Sequence, residues 1–250
     1  MFFSIITAVK NGEAFIADSC LSLQSQSFKD YEHIVIDALS TDNTVSIIKN
    51  NHDSKIISES DNGIYEALNK GIVASSGEII GFLNADDLYF NDEVLSEVYK
   101  EFNNTNADIV YGDLVYVDKT AKYILRDWKS NKFKHSMLVF GWMPPHPALF
   151  IRKDIYMDLD YFDSSYDISG DYEFILRLFS CGKYKASYIP ITLVKMRVGG
   201  VSNKSFYNIL KKMREDYFAL KKNKVGGLFS LILKNLRKVP QLPYFNKYTD

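Results

Sequence analysis

Apolar residues recur along the first hundred positions in two alternating periods. Phe2–Val9, His33–Asp37, Lys55–Ile57 and Glu78–Leu83 are short apolar runs that predict strands. Between them lie segments with helical spacing. Ala14–Leu23 carries Phe15, Ile16, Cys20 and Leu23, and the next runs through Val45, Ile47 and Ile48. In the third, Ile64, Ala67, Leu68, Gly71, Ile72 and Ser75 share one face. Thr41 and Asp42 offer capping oxygens to the second helix. Asn91-Asp92-Glu93 opens a fourth with acids at its positive end. The order β-α-β-α-β-α-β predicts an α/β fold: a mostly parallel sheet with helices on both faces.

Beyond residue 100 the alternation weakens. Asp108–Val117, Lys122–Trp128, Ala148–Ile151 and Lys185–Leu193 predict strands, and Asp171–Ser180 a helix. Met143-Pro144-Pro145-His146-Pro147 reads as a stiff, extended segment. From Ser205 two amphipathic helical stretches are split by Gly226-Gly227. No repeat or long linker interrupts residues 1–203, so they are expected to form one unit with halves 1–100 and 101–203, followed by a helical tail over 204–250.

Composition narrows the class. With 46% hydrophobic and 24% charged residues and a net charge of −1, the 250-residue chain reads as globular, which argues against disorder and a uniformly basic nucleic-acid binder. The charge is uneven, however. Residues 204–240 hold ten Lys/Arg against Glu215 and Asp216, a balance of +8, leaving −9 on the rest. An acidic body with a basic tail asks for two kinds of partner. Cys20 and Cys181 each sit in an apolar stretch and read as reduced core thiols of a cytosolic protein. Met1-Phe2-Phe3-Ser4 lacks a basic n-region, so no signal peptide is expected. The apolar window Val225–Leu233 is too short to span a bilayer.

The chemistry concentrates at strand ends. Asn84-Ala85-Asp86-Asp87 follows the buried run Ile79–Leu83, and two adjacent carboxylates there are costly unless a cation meets them. A hydrated Mg²⁺ or Mn²⁺ carrying phosphates suits them, since such ions take one or two carboxylates plus substrate oxygens. Thr7-Ala8, Asp37 and Asp61 end neighbouring segments, along the sheet edge where open α/β sheets bind ligands. Asp37 could accept hydrogen bonds from a base or ribose edge, or, with Asp42, only cap a helix. There is no G-x-G-x-x-G, no P-loop and no G-x-S-x-G elbow, and His33, His52, His135 and His146 lack zinc-ligand spacing.

Three segments carry a family resemblance: Ser4–Asn11, Val35–Thr44 and Asp61–Gly71, the last continuing through Gly77-Glu78 to Asp87. The chain resembles a family 2 glycosyltransferase of the GT-A fold, densely over residues 3–100 and sparsely over 145–202. The Asn-Gly-Ile-Tyr-x-Ala-x-Asn-Lys-Gly block is similar to bacterial exopolysaccharide, colanic-acid and O-antigen transferases. The resemblance implies an inverting, metal-dependent hexosyltransferase with a nucleotide-sugar-binding half (1–100) and an acceptor half (101–203). The donor, a UDP-sugar, would lie on the backbone of Thr7 and Ala8 with Asp37, near Asn69 and Lys70. Asp87 would ligate the metal, and Asp86 would contact ribose or metal-bound oxygens. Asp171 would be the catalytic base, with Gly170 in place of the family's usual Glu. His146 would orient the acceptor, a saccharide or a lipid-linked one. Arg197 would neutralise phosphate from a glycine-bearing lid, Arg197–Ser202, where Val198 replaces a frequent His. Asn84 and Ala38 replace two usual acids.

The basic tail fits an anionic membrane surface, the catalytic body, or a second subunit as in a homodimer. No nucleic-acid motif accompanies it. The expected location is cytoplasmic, peripheral on the inner face of the cytoplasmic membrane. Two other readings stay open: a nucleotidyl or phosphoryl transferase, and a non-catalytic membrane-surface scaffold.

Overall fold

The structure, a computed structural model, describes residues 1–199 and 206–236. The expected parallel unit forms from β1 (Phe3–Val9), α1 (Ile16–Gln24), β2 (Tyr31–Asp37), α2 (Thr44–Asn51), β3 (Lys55–Ser58), α3 (Ile64–Ala74) and β4 (Ile79–Phe82). The remaining elements are β5 (Leu88–Tyr89), α4 (Val94–Thr105), β6 (Ile109–Val117), β7 (Ile124–Trp128), β8 (Leu149–Arg152), α5 (Lys153–Asp158), α6 (Gly170–Ser180), β9 (Ala186–Arg197), α7 (Phe206–Lys222) and α8 (Leu228–Leu236). One sheet runs β3-β2-β1-β4-β8-β6-β9-β5, with β7 on β6. Its β3-β2-β1-β4 portion is parallel, and antiparallel pairing enters where β8 joins β4.

Alternation along β1 separates the two larger of three apolar clusters. Ile6 packs with Ile34 and Ile36 beneath α3, α5, α6, α7 and α8. Phe3 and Ile5 face the opposite way, towards α4 and Leu23 of α1. Strand pairing ends unevenly. The β1–β2 ladder runs to Val9–Asp37, whereas the β1–β4 ladder stops at Ile6–Phe82. Thr7 and Ala8 therefore lie past the end of the β4 pairing, at the carboxyl edge of the sheet.

Three expectations need correction. The Met143–Pro147 segment is extended only to Pro145, and a 3₁₀ turn over His146–Ala148 follows, because Ala148 N–H donates to Pro145 O at 3.0 Å. Cys20 is buried, which pushes its thiol up to about 11, but Cys181 at the end of α6 is exposed. The strand expected over Lys185–Leu193 continues to Arg197, because β6 supplies a parallel partner as far as Val117. The short β5 and α5 left no periodic signal.

The described part of the tail is folded onto the body. Ala219 and Leu220 of α7 and Leu231 of α8 enter the core beneath α6. Glu215 accepts the backbone N–H groups of Ile168 and Ser169 at 2.9 and 2.8 Å, just before α6. Lys204, Ser205 and residues 237–250 of the expected tail lie outside the described residues. No helix among the described residues is long and apolar enough to cross a membrane.

Candidate active site

The acidic turn after β4 is held from both sides. Asp87 is 1% exposed. Its Oδ2 accepts Asn84 Nδ2–H at 2.7 Å, and its Oδ1 accepts the backbone N–H of Arg197 at 3.2 Å. Asn84, where an acid is usual, thus supplies a donor that aims Asp87. β5 pairs antiparallel with Val194–Lys195, so the end of β9 is registered against the turn. Burial, and then the Asp86 charge, push the Asp87 carboxyl up to about 8. A buried acid with so strained an ionisation is stabilised by a cation. Asp86 beside it is half-buried. Among the described residues no three His, Cys, Asp or Glu side chains gather as a metal cage. Two adjacent hard-oxygen donors suit Mg²⁺ or Mn²⁺ that takes its other ligands from phosphates and water.

Arg197 is already engaged within the protein. It is 4% exposed and its guanidinium donates to Lys119 O, Asp86 O and Asp18 Oδ2 at 3.1, 3.0 and 2.6 Å, over the Phe15 ring. It braces the acidic turn against α1. Residues Gly200–Ser202 of the expected lid lie outside the described residues.

The nucleotide side is equally interlocked. Thr7 Oγ1 donates to Leu83 O at 2.6 Å, so Thr7 offers its neighbourhood backbone rather than a free hydroxyl, and Ala8 is half-buried beside it. Asp37 accepts Ser40 N–H at 3.2 Å and Ser58 Oγ–H at 2.6 Å, so it organises the loops after β2 and β3. Asn69 and Lys70 are also engaged within the protein. Asn69 exchanges two hydrogen bonds with the Phe162 backbone, at 2.9 and 3.0 Å. Lys70 Nζ binds Ser60 O at 2.7 Å and Glu59 at 3.0 Å. Both fasten loops.

Asp171 occupies the first turn of α6, with Oδ1 accepting Tyr172 N–H at 2.8 Å and Tyr65 Oη–H at 3.3 Å. Tyr65 Oη also lies 2.7 Å from Ile168 O, so one α3 phenol pins the chain on both sides of Gly170. A Cβ at Gly170 would come 2.7 Å from the Tyr65 ring, which is why glycine stands there. A cavity of about 210 Å³ opens beside Asp171, lined among others by Tyr116, Trp128, His146, Tyr172 and Lys234. His146 stacks on Phe82 at 4.9 Å, and its buried Nε2 has no partner. Burial lowers its pKa, partly offset by the Asp171 charge. Tyr172 Oη is likewise buried without a partner.

Tyr116 links the two acidic centres. Burial raises its pKa, the charge of Arg126 opposes the rise, and the charges of both Asp87 and Asp171 add to it. The charges of Asp87 and Asp171 therefore both reach one phenol. Tyr65, Tyr116, Tyr172 and Lys234 were not foreseen. Tyr65 stood inside the Asn-Gly-Ile-Tyr block, but no local pattern announces a contact with residue 171.

The sequence and the fold have known counterparts. The sequence matches the family described as "Glycosyl transferase family 2" over residues 4–157. A "PGL/p-HBAD biosynthesis glycosyltransferase" of Mycobacterium tuberculosis (strain ATCC 25177 / H37Ra) is 26% identical over 208 residues, 80% of this chain and 79% of that protein. An "Uncharacterized glycosyltransferase" of Haemophilus influenzae is 29% identical over 55% of this chain and 57% of its own length. Among solved structures, S. aureus TarS 1-349 in complex with UDP-GlcNAc superposes with a TM-score of 0.69 at 19% identity. That match covers 90% of this chain and 66% of the TarS chain, so this chain spans just under two thirds of it. The mannosyltransferase PcManGT of Pyrobaculum calidifontis, in complex with GDP-Man and Mn2+, gives 0.64 at 16% identity, covering 95% and 69%. The fold is GT-A, and with more than half its length matching one family, the chain belongs to glycosyl transferase family 2.

Proposed function

We propose that the protein is an inverting, metal-dependent hexosyltransferase that moves a sugar from a UDP-sugar to a saccharide or lipid-linked acceptor in bacterial surface polysaccharide synthesis. The observation that carries this reading is that two carboxylates far apart in sequence reach one phenol. Asp87 and Asp171 bear on the same Tyr116 hydroxyl, with an acceptor-sized cavity at Asp171. The TarS complex with UDP-GlcNAc supports a nucleotide-sugar donor.

The uracil end would rest at the carboxyl edge of the sheet along the backbone of Thr7 and Ala8, with Asp37 holding the surrounding loops and offering a remaining lone pair. Asp87, with Asp86, would hold Mg²⁺ or Mn²⁺, which when bound offsets charge on the diphosphate. Asn84 and Arg197 keep the Asp87 carboxylate aimed. On the other side, His146 Nε2 and Tyr172 Oη offer unpaired polar atoms to acceptor hydroxyls. Asp171 takes the proton of the attacking hydroxyl. The acceptor oxygen bonds to the anomeric carbon as the bond to the diphosphate oxygen breaks on the opposite face, so configuration inverts. One base suffices because no covalent sugar–enzyme bond forms.

Calorimetric titration of UDP with and without Mn²⁺, then a screen of UDP-sugars for released UDP, tests the reading. Mn²⁺-dependent UDP binding and acceptor-dependent release are expected. Binding indifferent to the metal, or UDP release without any glycoside formed, refutes it.

A further inference from the structure

Helix α8 is built inside out. Its buried positions are Ser230, Leu231 and Lys234, while Leu228, Phe229, Ile232 and Leu236 are 64, 63, 49 and 56% exposed. At helical spacing these four residues fall on one face. A soluble helix normally buries such a stripe and exposes its lysine. Here Lys234 is 6% exposed, 2.7 Å from Asp216, with its ammonium 3.2 Å from the centre of the Tyr172 ring. The buried pair fixes the helix's rotation, so the apolar stripe is held outward.

The surroundings of the stripe indicate what covers it. Both acids of the described tail point inward, Asp216 to Lys234 and Glu215 to the backbone before α6. Cations remain outside. Lys221 is exposed and its side chain runs along Gly227, where an added Cβ would meet Nζ at 3.4 Å, and Lys224 is exposed in the turn between α7 and α8. The loop that packs on α8 through Gly141 also exposes Val139 and Phe140, 42 and 52%. An apolar stripe with a cationic rim matches anionic headgroups over acyl chains. A second copy would bring two cationic rims together, a like-charge contact that opposes an isologous dimer.

We propose that α8 docks the protein on an anionic bilayer, with Leu228, Phe229, Ile232 and Leu236 in the headgroup–acyl boundary. The inner face of the same helix supplies Lys234 to the cavity beside Asp171. Docking therefore sets that cavity one helix away from the lipid surface. The identity of the acceptor, a sugar carried on a membrane lipid, rests on the sugar-transfer reading, whereas the docking itself does not.

The test is sedimentation of the full chain with vesicles of mixed phosphatidylglycerol and phosphatidylcholine, and of phosphatidylcholine alone, beside the double variant F229E/I232E. Binding to the anionic vesicles is expected, with a loss of at least about tenfold in the variant and on the neutral vesicles. Light scattering and UDP titration are run on the same samples. Failure to bind vesicles, or equal binding by the variant, overturns the proposal. So does a concentration-dependent dimer that the variant abolishes, which assigns the stripe to a second copy. Loss of UDP binding in both proteins would count against sugar transfer and leave the vesicle result to stand on its own.

Discussion

The backbone N–H of Arg197 donates to Asp87 Oδ1 at 3.2 Å, across 110 residues of sequence. The bond gives a physical reason for the length of β9. By running on to Arg197, the strand presents one N–H to the buried carboxylate and one guanidinium to the carbonyl of Asp86. The acid is oriented by neutral or peripheral donors, and its charge is left for something bound.

This predicts a pH dependence of unusual sign. Burial first, then Asp86, raises the folded-state pKa of Asp87 to about 8, above its value in the unfolded chain. Between about pH 4 and about pH 8 the folded form holds a proton that the unfolded form has lost, so this group's contribution to stability declines as pH rises. Melting curves of metal-free protein should show that decline, and Asp87→Asn should flatten it. Mn²⁺ should raise the melting temperature more at about pH 8 than at about pH 6, because binding must expel the proton. A metal effect independent of pH would contradict the assignment.

Asp171→Asn should lower turnover by about 10²–10⁴-fold, the usual worth of a positioned general base. UDP affinity by titration should hardly change, since the residue lies on the acceptor side. Tyr65→Phe removes only the phenol that pins Ile168 O and Asp171 Oδ1. It should reduce kcat with KM nearly unchanged and cost about 1 kcal/mol in denaturant unfolding. A variant with wild-type kcat would reduce Tyr65 to packing.

How much of this was legible in the sequence depended on range. The parallel unit β1 to β4 was readable because each strand and helix signals its own period, and Asp37, Asp86 and Asp87 could be placed at strand ends from that period alone. Asn69, Lys70 and Arg197 have internal partners that the sequence did not announce. A polar side chain near a site looks free in sequence, but Asn69 and Arg197 find partners in Phe162 and Asp18 from distant segments, and Lys70 finds Ser60 in the loop just before its own helix. Gly170 looked like a lost acid until the Tyr65 ring accounted for it. The tail's amphipathicity was visible, but not which face turns inward, since burying Lys234 depends on Asp216 one helix earlier.

Gly170 gives a further test. Gly170→Ala places a methyl 2.7 Å from the Tyr65 ring, a contact that must shift either α3 or the start of α6. Overpacking of this kind costs about 1–3 kcal/mol. Because Tyr65 also positions Asp171, kcat should fall alongside stability. Chemical denaturation and steady-state kinetics on the one variant check both effects, and an unperturbed protein would mean that the ring moves aside freely.

The Lys234–Asp216 pair separates a latch from a simple anchor. Both side chains are almost fully buried, so removing one partner leaves an uncompensated charge, and Asp216→Asn should cost about 3–5 kcal/mol in unfolding. Replacing both with apolar residues, Asp216→Leu with Lys234→Met, removes two desolvation penalties together with their attraction, and should restore most of that loss. The double variant would also strip the cavity of an ammonium over Tyr172. With the fold restored, acceptor KM should rise while UDP affinity holds. If stability and acceptor KM both return to wild-type values, the pair serves only to seat α8. If stability returns and KM does not, Lys234 contributes to acceptor binding directly.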